Sequence, residues 1–372
     1  MRSALITFVL IQLARSVAGG KHHFFTGAFT GSDVFLMEFD DLSDKLTLLA
    51  NESTVGDTTK WISFDAQKKN LYVAQDSFYG SYAIGSNLTL TYKSQINLTE
   101  DCQNANFIVG SLQAPYPVFG AQFSNGCSGQ AIEVDSEGSL KAVTANITYN
   151  TNAGVHGLAV SAKGNFIYSA DDSGDAVWVH SYDNTTQTLT KVQRVSAPTG
   201  ANPRHLAVHP KGLYVYVVFE ETTALGIYRR NPTTGRLTYT NQTYSLIPSP
   251  FTNTSSYWAD EVAFSTFERS GSVPKYLLAS TRSRSTTEKG YVTVFTLDPE
   301  SGSIEEKLLQ LPTTGSGGTA NSVSPAPFSG DYFAITDSGS DFVEIWKIKN
   351  RTAEAVAHLD LSVGPANVAW YS

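Results

Sequence analysis

Short runs of β-branched and aromatic residues alternate with turns rich in Gly, Asn and Asp along most of the chain. No long window shows the 3.6-residue apolar spacing of an amphipathic helix. Short runs bounded by turn residues are typical of β-strands. The pattern therefore predicts an all-β fold.

A strand–turn–strand segment recurs along the chain. The clearest pair is His156-Gly-Leu-Ala-Val-Ser-Ala-Lys-Gly-Asn-Phe-Ile-Tyr168 and Arg204-His-Leu-Ala-Val-His-Pro-Lys-Gly-Leu-Tyr-Val-Tyr216, whose matching positions lie 48 residues apart. Fainter copies begin at Lys60, Asp260, Asn321 and Asn367. A repeat of roughly 45–55 residues with about four strands is typical of a propeller blade, and the chain length then gives about seven blades.

The last copy, Asn367–Tyr371, is long enough for one strand only. It needs a sheet to join, and the strands expected around Phe24–Phe39 provide one. Such a closure leaves no unpaired sheet edge, which is how propellers avoid edge-to-edge aggregation. We therefore predict one seven-bladed β-propeller over residues 19–372, closed by pairing of its N- and C-terminal strands.

Residues 1–18 have the pattern of a cleaved signal peptide. Arg2 precedes the apolar run Ala4–Leu13, and Ser16-Val17-Ala18 supplies small residues at the spacing that a signal peptidase accepts. An ordinary first strand is the alternative. No other stretch is long and apolar enough to span a membrane. We therefore expect the protein to be secreted, to the medium or the cell wall.

Glycosylation motifs and cysteines fit a secreted chain. Two cysteines in an oxidising compartment are expected to form a Cys102–Cys127 disulfide, with two separate thiols as the alternative, because the sequence does not show how closely they approach. No histidine stands near them at ligand spacing, so they do not predict a zinc site. The eight Asn-X-Ser/Thr motifs begin at Asn51, Asn87, Asn97, Asn146, Asn184, Asn241, Asn253 and Asn350.

The charge of the chain argues against some partners. The formal net charge is −8 and becomes −10 without residues 1–18, which contain two arginines and no acid. An acidic chain without basic runs repels phosphate backbones, so nucleic acid is not expected as a partner. The sequence contains no Gly-rich phosphate loop and no Gly-X-Ser-X-Gly motif. We expect no metal or nucleotide cofactor. The sequence leaves open whether the chain forms a homo-oligomer.

Strand direction predicts that polar residues gather at one mouth of the central channel. The innermost strand of each blade lines the channel and the second strand returns antiparallel beside it, so the start of the first and the end of the second share one face. The residues at the starts are His156, Arg204, Asp260, Asn321 and Asn367. The residues at the ends are Asp171, Asp172, Glu220, Arg282 and Asp337.

Some of these residues have a structural interpretation. Asp171, Asp172 and Asp337 belong to Asp-Ser-Gly turns, where a carboxylate commonly accepts hydrogen bonds from the local backbone. Asn321 and Asn367 are expected to cap the strands of the channel wall. None of the five is therefore predicted to be catalytic.

Two of the other histidines are expected to be structural, whereas two arginines are candidates for ligand binding. His209 is expected to be structural, and His205 should pack between blades because it alternates to the opposite side of its strand from Arg204. Two guanidinium groups at one mouth repel each other unless acids or an anionic ligand compensate. Arg204 and Arg282 are therefore candidate ligand-binding groups, with pairing to Glu220 as the structural alternative.

Five segments together resemble the carboxymuconate cyclases, the fungal 3-carboxy-cis,cis-muconate lactonizing enzymes of the wider lactonase-type seven-bladed propeller family. The segments are Gly154-Val-His-Gly157, Asn202-Pro-Arg-His-Leu-Ala-Val-His-Pro210, Phe219-Glu220, Ala279-Ser-Thr-Arg282 and Gly317-Gly-Thr-Ala-Asn-Ser-Val-Ser-Pro325. The resemblance runs from about residue 150 to the end, and only the blade rhythm extends it upstream. It implies a lactone-forming or lactone-opening cycloisomerase that acts on a small polycarboxylate.

The resemblance also implies the active-site groups, which fall on His156, Arg204, Glu220 and Arg282. The face predicted from strand direction contains the same four residues. The family's Gly-Gly-His-Ser-Asn stretch has Thr319 at its His position here, so a polar contact to the substrate is expected to differ.

Cycloisomerisation of a muconate-type acid sets three requirements. A carboxylate is held against its own C=C bond, the charge developing at the α-carbon is stabilised, and a proton is delivered there. Arg204 and Arg282 suit the first two tasks, because planar bidentate donors orient carboxylates and stabilise an enolate-like transition state. His156 is expected to donate the proton, since the unperturbed pKa of histidine is roughly 6.5. Glu220 is expected to orient His156 or an arginine, or to act as an acid or base.

Two other classes of function stay open. A lactone hydrolase would use the same histidine with water as nucleophile, and a non-catalytic secreted propeller would bind a ligand or partner. An isomerase product keeps the mass of its substrate, a hydrolase product gains one water, and a binding protein releases no product. Mass spectrometry therefore separates the three.

Secretion predicts a mature chain that begins near Gly19, carries N-glycans and contains a Cys102–Cys127 bridge, because each feature belongs to the secretory route. Intact-mass measurement with and without glycosidase and reductant checks all three. An uncut, unglycosylated chain in the cytosol would contradict the targeting prediction.

Overall fold

The computed structural model of the protein describes residues 19–249, 254–265 and 273–372. These residues form seven four-stranded antiparallel sheets arranged as the blades of a propeller, which confirms the predicted fold class. The proposed signal segment, residues 1–18, and the glycosylation motif at Asn253 lie outside the described residues. None of the helices found in the described ranges is long and apolar enough to cross a membrane.

We number the strands in chain order and the blades from the N-terminus. Blade 1 contains β28 (Pro365–Trp370), β1 (Lys21–Ala28), β2 (Asp33–Asp40) and β3 (Lys45–Ser53). Blade 2 contains β4 (Trp61–Phe64), β5 (Asn70–Gln75), β6 (Phe78–Ile84) and β7 (Leu90–Asn97). Blade 3 contains β8 (Ala105–Gly110), β9 (Val118–Gln122), β10 (Gly129–Val134) and β11 (Leu140–Ile147). Blade 4 contains β12 (Val155–Val160), β13 (Phe166–Asp171), β14 (Ala176–Asp183) and β15 (Thr188–Ser196).

The remaining blades follow the same order from the channel outward. Blade 5 contains β16 (Pro203–Val208), β17 (Tyr214–Phe219), β18 (Ala224–Arg230) and β19 (Leu237–Ser245). Blade 6 contains β20 (Tyr257–Phe264), β21 (Tyr276–Ser283), β22 (Tyr291–Leu297) and β23 (Ile304–Pro312). Blade 7 contains β24 (Val323–Pro325), β25 (Tyr332–Asp337), β26 (Phe342–Lys349) and β27 (Thr352–Asp360). Two 3₁₀ turns, Glu100–Cys102 and Thr254–Ser256, precede blades 3 and 6.

Burial falls from the middle of each blade to its outer edge. All six residues of β13 are buried, whereas the outer strand β15 alternates between exposed and half-buried positions. Neighbouring blades pack face to face, so that Phe166 and Tyr168 of blade 4 share one apolar cluster with Val215 and Val217 of blade 5. An inner strand that is covered on both faces can be apolar at nearly every position, as in β17.

The C-terminal strand closes the ring as predicted. Phe24 pairs with Trp370 and Thr26 with Val368 in the ladder between β1 and β28. Asn367 extends this closure into blade 2, because its side chain accepts a hydrogen bond from the Ile62 amide at 2.8 Å and donates one to the Ile62 carbonyl at 3.0 Å. Asn367 thus has the structural role expected of it.

The innermost strands of blades 3 to 6 are each interrupted by a β-bulge near the same mouth of the channel. A bulge adds a residue to one strand and re-aims its side chains. The residues left out of the ladders are Asn106, His156, Arg204, His205, Asp260 and Glu261. All six line the same cavity.

The bulge in β16 contradicts one prediction. Regular alternation would place His205 between blades, on the opposite side from Arg204. The ladder of β16 instead skips from Pro203 to Leu206, and both intervening side chains line the channel cavity. The expectation for His205 was therefore wrong, because a bulge breaks the two-residue period on which it relied.

The predicted disulfide is present. Cys102 and Cys127 are bonded with their Cα atoms 5.7 Å apart. Among the glycosylation motifs in the described ranges, the asparagine is exposed at all but Asn184, which is half-buried. Glycosylation itself stays a prediction.

The closure strand generates a stability prediction. A chain that ends at Gly364 loses β28 with its buried Val368 and Trp370, so we expect the melting temperature to fall by about 10 °C or more and the exposed edge of β1 to promote aggregation. Removing only Tyr371 and Ser372 keeps the strand and serves as the control. Calorimetry and size-exclusion chromatography measure both effects. An unchanged melting temperature in the longer deletion would disprove the closure claim.

Candidate active site

A cavity of about 480 Å³ occupies the mouth of the channel where the bulges lie. The structure brings the four candidate residues together in its wall: His156 from β12, Arg204 from β16, Glu220 just after β17 and Arg282 from β21. Asp260, at the bulge of β20, completes the charged side of the cavity. The four residues therefore share one face of the propeller, as strand direction predicted.

Two arginines and two carboxylates form a closed set of alternating charges, which we call the arginine–carboxylate ring. Arg282 contacts Glu220 at 2.7 Å and Asp260 at 2.5 Å. Arg204 contacts Glu220 at 3.2 Å and Asp260 at 3.5 Å. The acids thus compensate the mutual repulsion of the guanidinium groups without any ligand. They also fix the orientation of both planar donor groups, because opposite charges this close and this buried are only weakly screened.

Asp260 is the most deeply buried member of the ring, with no exposed surface. Its Oδ2 accepts a hydrogen bond from the Asn321 amide at 3.2 Å, and its carbonyl accepts one from Arg204 Nη1 at 3.0 Å. Burial raises the pKa of Asp260, while the charges of Arg282 and Arg204 oppose that rise. The carboxylate therefore depends on both arginines for its charged state.

His156 differs from the group expected from the sequence. Burial lowers its pKa well below 6.5, and the positive charges of Arg204 and Arg282 lower it further. The imidazole is therefore neutral near pH 7. Its Nδ1 lies 3.0 Å from Nε2 of His205, and its ring packs against Phe123 with the centroids 5.0 Å apart. The expectation of an ordinary pKa fails because the sequence shows neither the burial of the imidazole nor how closely the arginines approach it.

Three aspartates follow strands at this mouth and have two different roles. Asp171 accepts hydrogen bonds from the Gly154 and Gly174 amides, both at 2.9 Å. Asp337 likewise binds backbone amides, including that of Gly317 at 3.0 Å. These two have the turn-stabilising role that was predicted.

Asp172 does not have that role. Its side chain lines the cavity, and its Oδ1 accepts a hydrogen bond from Asn202 Nδ2 at 3.3 Å. Burial and the negative charge of Glu220 raise the pKa of Asp172 to about 7. Its carboxyl group is therefore partly protonated at neutral pH. The sequence signal was the Asp171-Asp172 doublet, in which one member is fixed by the turn and the next is directed into the mouth.

A tryptophan outside the predicted set supports Arg282. The guanidinium carbons of Arg282 and Arg284 lie 4.6 and 4.0 Å from the centre of the Trp258 ring. The indole Nε1 donates to Glu221 at 2.7 Å, and Glu221 also pairs with Arg284. Cation–π contacts of this kind stabilise the position of the Trp258 indole and of both guanidinium groups.

The opposite side of the cavity is aromatic and amide-rich. Trp61 and Phe123 provide flat apolar surface, and Asn104 accepts a hydrogen bond from Lys60 Nζ at 2.6 Å. Thr319 lines the cavity beside Arg282, which donates to its carbonyl. No set of three or more His, Cys, Asp and Glu side chains in the described ranges is arranged to hold a metal ion.

Comparison with known proteins identifies the family. The family described as "Lactonase, 7-bladed beta-propeller" matches residues 23–354. The chain belongs to this lactonase family. Carboxy-cis,cis-muconate cyclase of Neurospora crassa is 31% identical over 372 aligned residues, which cover 94% of this chain and 99% of that protein. The resemblance predicted from five segments is thus confirmed over nearly the whole length.

Solved structures show the same fold as this member of the lactonase family. A periplasmic gluconolactonase of Pseudomonas aeruginosa superposes with a TM-score of 0.78 at 18% identity, covering 95% of this chain and 99% of that one. A protein from Lactobacillus plantarum has a TM-score of 0.74 at 14% identity, covering 95% and 100%. At these identities the likeness concerns the fold alone.

The arginine–carboxylate ring predicts a large cost for Asp260→Asn. Removing one partner of a buried charge pair leaves the other uncompensated, so we expect a loss of about 3–5 kcal/mol in the free energy of unfolding. Asp337→Asn is the matched control, because Asp337 is equally buried but binds backbone amides, and its loss should cost about 1–3 kcal/mol. Denaturant unfolding measures both variants. Equal losses would show that the ring adds no special stability.

Proposed function

We propose that the protein is a cycloisomerase that forms or opens a lactone of a small polycarboxylate of the carboxymuconate type. The observation that supports this proposal most strongly is the meeting of two fixed guanidinium groups, a neutral imidazole and a partly protonated carboxyl group in one cavity. The carboxymuconate cyclase of Neurospora crassa, 31% identical over nearly all of both chains, supports the substrate class.

Arg204 and Arg282 stabilise the charge that develops on the substrate. In the lactone-opening direction the α-proton leaves first, and the electron pair of the C–H bond becomes an enolate. Donors that are already fixed in place stabilise such a charge without reorganising during the reaction. Glu220 and Asp260 supply that fixation, since each contacts both guanidinium groups.

His156 moves the proton. Because its imidazole is neutral, it takes the α-proton during lactone opening and returns the proton to the same carbon during lactone formation. The enolate then expels the ring oxygen as a carboxylate. Asp172, with a pKa of about 7, donates a hydrogen bond to an oxygen of the substrate while it is protonated. Two groups whose surroundings shift their pKa values in opposite directions are the usual basis for distinct acid and base roles.

Lactone hydrolysis is the second candidate. A neutral imidazole beside two guanidinium groups is also suited to activate a water molecule against a lactone carbonyl, with the arginines stabilising the oxyanion. The product then gains the mass of one water. The identity of the product therefore decides between the two reactions.

The reaction is tested by incubating the protein with carboxymuconates and their lactones and identifying the products by mass spectrometry and NMR. We expect isomerisation without a change of mass. In His156→Asn the turnover should fall by roughly a hundredfold or more, the usual scale for losing a positioned acid–base group. Arg204→Lys and Arg282→Lys keep the charge but lose the planar donor pair, so they should weaken both binding and turnover.

His209→Asn is the control for these variants. His209 is fully buried, packs edge-on against Phe264 and lines no part of the active-site cavity. Its replacement should lower the melting temperature more than the rate. Full activity in both His156→Asn and Arg204→Lys would place the site elsewhere, and ligand binding that needs the arginines without any turnover would favour a binding protein.

A further inference from the structure

Three titratable side chains from three blades form a continuous row that ends in the cavity. His205 Nδ1 contacts Glu261 Oε2, and His205 Nε2 lies 3.0 Å from His156 Nδ1. We propose that Glu261 and His205 form a proton relay that presents His156 to the substrate with an unprotonated Nε2. This proposal rests on the proposed function and assigns two positioning residues to the same site.

The row is held rigidly. His205 is 2% exposed, and its ring lies edge-on to Trp61 and Phe107 at centroid distances of 4.7 and 5.6 Å. A Cβ atom at Gly157 would lie 2.4 Å from His205 Cδ2, so only glycine leaves room for the ring at this place. Glu261 is anchored by its second oxygen, which accepts a hydrogen bond from the Val262 amide at 3.1 Å.

The proposed relay has a defined direction of hydrogen bonding while His205 is neutral. An ionised carboxylate only accepts hydrogen bonds, so His205 Nδ1 carries a proton and donates a hydrogen bond to Glu261. Nε2 of a neutral His205 then accepts, and His156 Nδ1 donates. His156 Nε2 is then left without a proton. The relay therefore selects the tautomer that acts as a base.

The charges around the row explain why a relay is needed. His156 faces Arg204 and Arg282, which disfavour a second proton on its ring, and besides His205 it contacts the uncharged Phe123. His205 faces Glu261 from β20, while Trp61 from β4 and Phe107 from β8 are uncharged. A positive charge is therefore more stable on His205, next to the carboxylate, than on His156.

The proton transfers balance in both directions. When His156 Nε2 takes the α-proton, the electron pair of the C–H bond stays on the substrate and the Nδ1 proton of His156 passes to His205 Nε2. His205 becomes an imidazolium paired with Glu261, and His156 stays neutral next to the arginines. In lactone formation the same two protons move back.

The fold contains a matched control for this relay. Glu344 and His358, on the outer strands of blade 7, form another glutamate–histidine pair with Oε1 2.9 Å from Nδ1. Glu344 is 3% exposed, like the buried carboxylate of the relay, but neither residue lines the active-site cavity. Glu344→Gln thus removes a buried carboxylate from a histidine without touching the site.

The test combines ¹⁵N NMR of the histidine rings with steady-state kinetics on the full chain. In the unchanged protein, His156 should give the signals of the neutral tautomer protonated at Nδ1. A glutamine at position 261 both donates and accepts, so in Glu261→Gln we expect both tautomers of His156 and a kcat reduced tenfold or more, with KM changed less than about twofold. Glu261→Asp should recover part of the rate. Glu344→Gln should change neither the His156 signals nor kcat.

The possible results separate this proposal from the proposed function. An unchanged tautomer and an unchanged kcat in Glu261→Gln overturn the relay even if the protein is a cycloisomerase. A tautomer change in Glu261→Gln supports the relay even if no carboxymuconate or lactone turns over, a result that would overturn only the proposed function. Should Glu261→Gln not fold, the double variant His205→Phe/Glu261→Gln keeps a ring between Trp61 and Phe107 and removes the buried charge. A His156 tautomer unchanged in that variant also overturns the relay.

Discussion

Pairing between β28 and β1 closes the seven sheets into a ring, and side chains from every blade of that ring line the candidate active-site cavity. No single blade supplies the site. His156 belongs to blade 4, Arg204 to blade 5 and Arg282 to blade 6, and each is positioned by the packing of its blade against the next. A ladder between the two ends of the chain thus fixes distances between side chains that lie far from it.

At the candidate site, the central constraint is the burial of the charged side chains of the arginine–carboxylate ring. Asp260 and Glu220 each contact two guanidinium groups, so none of the four charged side chains is left alone in a region with little access to water. Such networks are costly to assemble and more costly to break at one point. In return they hold donors rigidly at a place where negative charge develops during the proposed reaction. Burial and the same positive charges keep His156 neutral, which is the state that the proposed proton transfers start from.

Much of this arrangement could be predicted from the sequence. The blade repeat, the closing strand and the mouth that contains His156, Arg204, Glu220 and Arg282 all follow from strand direction and a regular two-residue period. The errors at His205 and Asp172 have local causes. A bulge turned His205 into the channel, and the residue after a fixed turn aspartate was directed into the cavity. The shifted pKa of His156 depends on distances between blades, which no single segment encodes.

The bulges have a consequence for how such a protein changes its specificity. Each adds a residue to an innermost strand at the mouth of the channel, outside the ladder that holds the blade together. Side chains at Asn106, His156 and the Arg204-His205 and Asp260-Glu261 doublets are therefore uncoupled from the pairing that stabilises each sheet. A substitution there alters the lining of the cavity without removing a ladder hydrogen bond, but at Arg204 or Asp260 it also breaks the buried charge network. The backbone pairing of the sheets is thus separate from the wall of the cavity, and libraries restricted to the bulge positions outside the arginine–carboxylate ring would vary that wall on an unchanged frame.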